Sequence, residues 1–185
     1  MVPGAERLTL ASRSPQRSAI LEQLGIPFDV RPADVDERAA GPPHEVVVEN
    51  ALRKARAVEA RTVLGVDTEV YLDRRLFGKP AGEEEARRFL EALSGRTHEV
   101  YSGLALICDG AERTAGERTA VRFRRLVPGL VEWYLATGEW EGRAGGYAVQ
   151  GRGAALTAAI DGDYWNVVGL PVAALLDMAP CLLNS

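Results

Sequence analysis

Two long stretches near the middle of the chain, HEVYSGLALICDG at 98–110 and ERTAVRFRRL at 117–126, read as β-strands joined through a polar, hairpin-like segment. An antiparallel pair of this length has no place in a purely parallel, doubly wound sheet, whose strands need helical crossovers. Around it strands and helices alternate, so the chain reads as mixed α/β. With 185 residues, 46% of them hydrophobic, it can bury about 70% of its unfolded surface in one core. One two-lobed domain over residues 1–185 is expected, with a central cleft that collects the strand-to-helix corners.

The elements follow from local pattern. Residues 7–12 (RLTLAS) suit a short strand, and Ser14 and Pro15 have the chemistry of an N-cap and first residue for a helix that Gly25 closes. A second strand is expected over 28–33, then an acidic Pro/Gly-rich loop and a helix over about 44–60. In that helix Val47, Ala51, Lys54 and Val58 share a face, so Lys54 is not on the solvated side. Residues 62–73 alternate, placing Gly65, Asp67, Glu69 and Tyr71 on one face of a strand. A tight turn at 73–75 leads to LFGKP, and EEEARRFLEALSG forms a helix with an acidic first turn. Residues 128–138 form another helix, 144–151 are glycine-rich, and a strand at 154–161, a loop (DGDYWNVVGLP) and a helix from Pro171 follow.

Lys plus Arg is 22 against 26 Asp plus Glu, a net charge of -4 that argues against a nucleic-acid or anionic-membrane surface. No leader pattern or long apolar run is visible, so a cytoplasmic, membrane-free protein is expected. Cys108 and Cys181 form no metal or disulfide pattern and read as buried small hydrophobes. The aromatic residues Trp133, Trp140, Trp165, Tyr134, Tyr147 and Tyr164 read as core or packing groups, and His44 and His98 as satisfied structural histidines. Twenty of the 22 cations are Arg. The two lysines, Lys54 and Lys79, therefore stand where a compact ammonium has a use.

Several residues admit two readings. Arg17, third in its helix, is disfavoured there by roughly 0.3 to 1 kcal/mol unless an oxyanion binds, and the corner alone favours an exposed Arg. Asp67 lies mid-strand between apolar neighbours, where it needs a cleft, a cation, or a salt bridge to one of the arginines. Glu37 shares its loop with Asp34 and Asp36, the composition of a solvated turn. Lys79 sits on a Gly-Lys-Pro elbow that is equally an ordinary turn.

Taken in order, LASRSPQR (10–17), DVDE (34–37), NALRKA (50–55), GVDT (65–68), GKP (78–80), LSGRTHEVYSG (93–103), TAVRF (119–123), AGGYAVQG (144–151) and DGDYWNVVGLP (161–171) resemble the Maf family of nucleoside triphosphate pyrophosphatases. The resemblance covers nearly the whole chain. It implies an elongated, inosine-triphosphatase-like α/β fold, a divalent cation (Mg²⁺ or Mn²⁺), and cleavage of a nucleotide to monophosphate and pyrophosphate. By position it makes Asp67 the catalytic carboxylate, Ser12, Arg17, Lys54, Lys79 and Gln150 substrate-binding residues, and Glu37 and Asp67 metal ligands. Gln16, Thr68 and Gln150 stand at the specificity positions, where Thr68 and Gln150 match the dTTP/UTP branch and Gln16 replaces its Arg. Glu69 stands where an apolar residue is usual. The implied partner is a nucleoside triphosphate, with no nucleic acid or membrane and with a homodimer left open. A non-catalytic nucleotide-binding regulator of septum formation is the alternative class.

Overall fold

A computed structural model describes residues 7–184. Its elements are β1 (Leu8–Leu10), α1 (Pro15–Gln23), β2 (Phe28–Val30), α2 (Pro43–Arg56), β3 (Thr62–Leu72), β4 (Arg75–Phe77), α3 (Glu83–Leu93), β5 (Thr97–Cys108), β6 (Ala111–Phe123), α4 (Pro128–Leu135), β7 (Thr157–Asp161), α5 (Tyr164–Val168) and α6 (Val172–Met178). The strands form one sheet in the order β2-β1-β3-β5-β6-β7, with β4 paired to β3 beside that path. Pairing of β1 with β2 and β3 is parallel, whereas β4 on β3 and β7 on β6 are antiparallel, so the sheet is mixed as expected. Among the described residues no helix is long and apolar enough to cross a membrane.

The sequence reading misses two hairpin features. β6 begins at Ala111 rather than Glu117, because Asp109 and Gly110 adopt φ of 49° and 81° and make a two-residue turn. Asp73 and Arg74, at φ 51° and 64°, turn the chain the same way, and the three residues that follow pair with β3 as β4. The expected loop after β7 contains α5, begun by Asp163, whose Oδ1 accepts the Trp165 N–H at 2.7 Å. Cys108 and Cys181 are exposed, contrary to expectation: one ends β5 at its turn and the other lies in a terminal 3₁₀ turn. Trp133 and Tyr164 are also exposed, whereas Tyr134 and Tyr147 are buried as expected.

The described chain packs as two compact units. One takes the residues up to Asp67, Ser102–Glu117 and those from Gly169 on, and the other takes Thr68–Tyr101 and Arg118–Val168. In the first, α2 lies on β3 and β5 through small residues: Ala51 and Ala55 of the helix meet Val63, Ala105 and Ala11. Glycine sets how close the helix comes. A Cβ on Gly65 would press inside the Ala51 carbonyl oxygen and lie 2.8 Å from the Ala55 nitrogen, and one on Gly103 would collide with the backbone at Val47. The second unit is built on larger side chains. Ala86, Phe89, Leu90 and Leu93, at i, i+3, i+4 and i+7 of α3, enter a core with Phe77, Phe123, Tyr134, Tyr147 and Leu156. His98 is fully buried there, edge-on to Phe123 and Tyr147.

Gly65→Ala should lower stability by about 1–3 kcal/mol by overpacking the seat of α2, which urea unfolding would read. A second expectation concerns acid. Burial pushes the His98 pKa down to about 4 from an ordinary 6.5, so the unfolded chain binds the extra proton between those values and stability falls as pH drops through that window. At pH 5 this amounts to about 2 kcal/mol. The stability difference between pH 7 and pH 5 should shrink by that much in His98→Gln.

Candidate active site

Parallel β1 and β3 run side by side with Leu10 opposite Leu64, and the Ala11 N–H donates to the Leu64 carbonyl at 2.9 Å. Ser12 follows two residues beyond Leu10 and Asp67 three beyond Leu64. Ser12 therefore lies just past the C-terminal end of β1, while Asp67 lies mid-strand in β3, just beyond the stretch that pairs with β1. The alternation read in the sequence places Asp67 on the Gly65 face of β3, and the close seat of α2 on that face brings the helix's side chains to it.

Lys54 and Asn50, one helical turn apart on α2, both reach the Asp67 carboxylate. Lys54 Nζ lies 2.6 Å from Oδ1, and Asn50 Nδ2 donates to Oδ2 at 3.1 Å. The same ammonium lies 2.7 Å from Oε1 of Glu37. One lysine thus links carboxylates from a strand and a loop. The Asp67 side chain is 5% exposed and that of Lys54 12%, against 45% for Glu37. The inner pair is therefore the costly one to break, while the outer one is screened by water. The salt bridge expected for Asp67 as an alternative exists, with lysine rather than arginine.

Asn50 was not singled out in the sequence. It is 1% exposed, and besides holding Asp67 it clasps the acidic loop: its Oδ1 accepts the Arg38 N–H at 2.7 Å and its Nδ2 donates to the Arg38 carbonyl at 3.0 Å. Arg53 Nη1 adds a bond to the Asp36 carbonyl at 3.1 Å, so the loop carrying Glu37 is tied to α2 on both sides of that residue. Arg38 is itself held by Glu49, at 2.6 Å, and the Arg38 and Arg53 guanidiniums pull the Glu49 pKa below the usual carboxylate range. The available signal was an amide on the apolar side of a helix, four residues before a lysine.

Beside Asp67, Glu69 follows two residues on along the same strand and face. Carboxylate oxygens of Glu37, Asp67 and Glu69 lie within 4.8 Å of one another. Hard oxygen donors suit a hard divalent cation, whose opposite ligands stand about 4 Å apart when each is near 2.1 Å from the ion. The chemistry of the donor set therefore suits such an ion.

Ser12 and Arg17 are brought together as well. Arg17 Nη1 donates to Ser12 Oγ at 2.8 Å and Nε to the Gly169 carbonyl at 2.9 Å, so the guanidinium is buried rather than exposed as the corner alone favoured. Ser14 takes the N-cap position without capping: its hydroxyl donates to Oε1 of Gln16 at 3.2 Å. Thr68, Lys79 and Gln150 belong to the second unit. Thr68 is half-buried on β3, and Lys79 and Gln150 are exposed. There the Gly78 carbonyl accepts the Gly145 N–H at 3.1 Å, tying the Lys79 turn to the glycine-rich segment that carries Gln150.

Fold and site define a mixed α/β protein with an acid–ammonium–acid centre built from a loop, a helix and the middle of a strand. The Maf-like protein family model matches residues 7–180. The chain belongs to the Maf family. It is 50% identical to a protein of Symbiobacterium thermophilum named dTTP/UTP pyrophosphatase, over 90% of this chain and 89% of that one. Proteins of the same name from Gloeobacter violaceus and Pyrococcus abyssi are 46% and 42% identical, over 93% and 92% of this chain and 94% of each relative. Among solved structures, the Staphylococcus aureus Ham1 protein aligns with a TM-score of 0.47 and 15% identity over 64% of this chain and 72% of that one.

Asn50→Leu keeps the side chain's bulk and removes all three of its hydrogen bonds. We expect a loss of about 1–3 kcal/mol in urea unfolding, together with faster amide exchange at Arg38, whose N–H loses its acceptor.

Proposed function

We propose that the protein hydrolyses nucleoside triphosphates to the monophosphate and pyrophosphate, with dTTP and UTP as preferred substrates. The observation that carries this is Lys54 held between Glu37 and Asp67, in a family whose similar members are named for that activity. A triphosphate brings about four negative charges, so its site needs cations for the phosphates and acids for a metal. A divalent ion, Mg²⁺ or Mn²⁺, held by oxygens of Glu37, Asp67 and Glu69 would offset phosphate charge where the chain itself is acidic.

The chain's own residues have distinct tasks. Asp67 accepts the proton of the water that attacks the α-phosphorus. Its two oxygens are held by Lys54 and Asn50, and each keeps a lone pair for water or metal. Lys54 bridges the two acids and shares its charge with the phosphates. Arg17, fixed by Ser12, and Lys79 supply further cationic contacts. Gln150 can both donate and accept, which matches the N3–H and carbonyl edge shared by uracil and thymine. Gln16 lacks the charge of the arginine found at that position in the dTTP/UTP branch, so some cytidine-type substrate is admitted.

The test is direct. In ¹⁸O-labelled water with Mg²⁺ or Mn²⁺, UTP should yield pyrophosphate as the first inorganic product and carry the label in UMP; label in pyrophosphate would place attack at the β-phosphorus. Asp67→Asn should fold and lose about 10²-fold or more in turnover. Tight UTP binding without any turnover would identify a regulator instead.

A further inference from the structure

The second unit holds a polar pair for which the proposed chemistry has no use. His98 Nε2 and the Tyr147 hydroxyl lie 2.8 Å apart, with both residues buried and Phe123 edge-on to each ring. Two phenylalanines would fill this space without desolvating any polar atom, and replacing both partners of a buried hydrogen bond by groups of the same shape is close to neutral for stability. What phenylalanines could not supply is direction. A hydrogen bond fixes where the Tyr147 ring sits, and Tyr147 opens the tetrapeptide that ends at Gln150.

That tetrapeptide has little slack. Gly145 and Gly146 enter it in consecutive left-handed conformations, at φ 70° and 71°. The Ala148 N–H donates to the Tyr134 hydroxyl at 3.0 Å, the Gly151 N–H to the Ala148 carbonyl at 3.1 Å, and the Arg152 N–H to Glu139 Oε2 at 2.7 Å. A displacement of Tyr147 therefore passes along the backbone to Gln150. Gln150 is exposed beside Val149, Ala154, Thr157, Ile160 and Tyr164 on an open cavity of about 490 Å³.

We infer that the His98–Tyr147 hydrogen bond is a positioning device that sets the Gln150 amide, and with it the discrimination between pyrimidine bases. The inference rests on the proposed role of Gln150 as the reader of the base. Neither His98 nor Tyr147 touches substrate; both act through Gln150.

The experiment compares wild type, Tyr147→Phe and the double variant His98→Phe/Tyr147→Phe in steady-state hydrolysis of UTP and CTP, with melting temperature measured alongside. The double variant should melt close to wild type, since neither polar atom is left unpaired. Its KM for UTP should nevertheless rise about tenfold with kcat within about threefold, and its UTP-to-CTP ratio of kcat/KM should fall by a similar factor. Tyr147→Phe should show the same loss of discrimination, and decides the matter if the double variant does not fold. A folded variant that keeps the wild-type KM and ratio would overturn the inference alone. A wild type that hydrolyses neither triphosphate would overturn the proposed function, and the inference with it.

Discussion

Everything at the acidic centre depends on how near a helix can come to a sheet. Side chains of ordinary size hold a helix about 10 Å from the strands it covers, and at that distance Asn50 and Lys54 would serve Asp67 poorly. Here Gly65 and Gly103 remove the spacer, and alanines on the helix complete the low seat. The helix backbone then rests on the strands, and two residues one turn apart can engage both oxygens of one buried carboxylate. The unit thereby trades apolar volume for reach. Its α2 contact is made of Ala, Val and Gly, while the other unit buries Phe, Tyr and Leu.

Lysine suits the bridging position better than arginine would. A guanidinium is a planar fork that matches the two oxygens of one carboxylate, whereas an ammonium offers three rotatable donors around a point. Glu37 and Asp67 come from a loop and a strand, and a point charge between them needs no common plane. In a chain with 20 arginines, that geometry explains why one of two lysines is found here. At the surface the fork is used instead, as in the paired contacts of Arg56 with Glu112 and of Arg61 with Asp109.

The legible parts of the sequence were those governed by local periodicity. The amphipathic face of α2 located Lys54 on the buried side, and strict alternation in β3 put Gly65 and Asp67 on one face. Motif order identified the family before any geometry was available. Asn50 was hidden because its worth comes from Asp67 and Arg38, 17 and 12 residues away along the chain. The turn at 73–75 was legible, but the strand β4 after it was hidden because three residues are too few to show alternation. Cys108 and Cys181 were misplaced because residue type was used where position at the end of an element decides exposure.

The bond from Arg17 to the Gly169 carbonyl joins residues 152 positions apart. During synthesis, α1 and its arginine leave the ribosome long before their acceptor exists. At roughly 5–20 residues per second the interval is on the order of ten seconds, far longer than a helix needs to form. The nascent chain must therefore carry Arg17 without its Gly169 acceptor while α2 and β3 are already largely built, and a late segment completes an early corner.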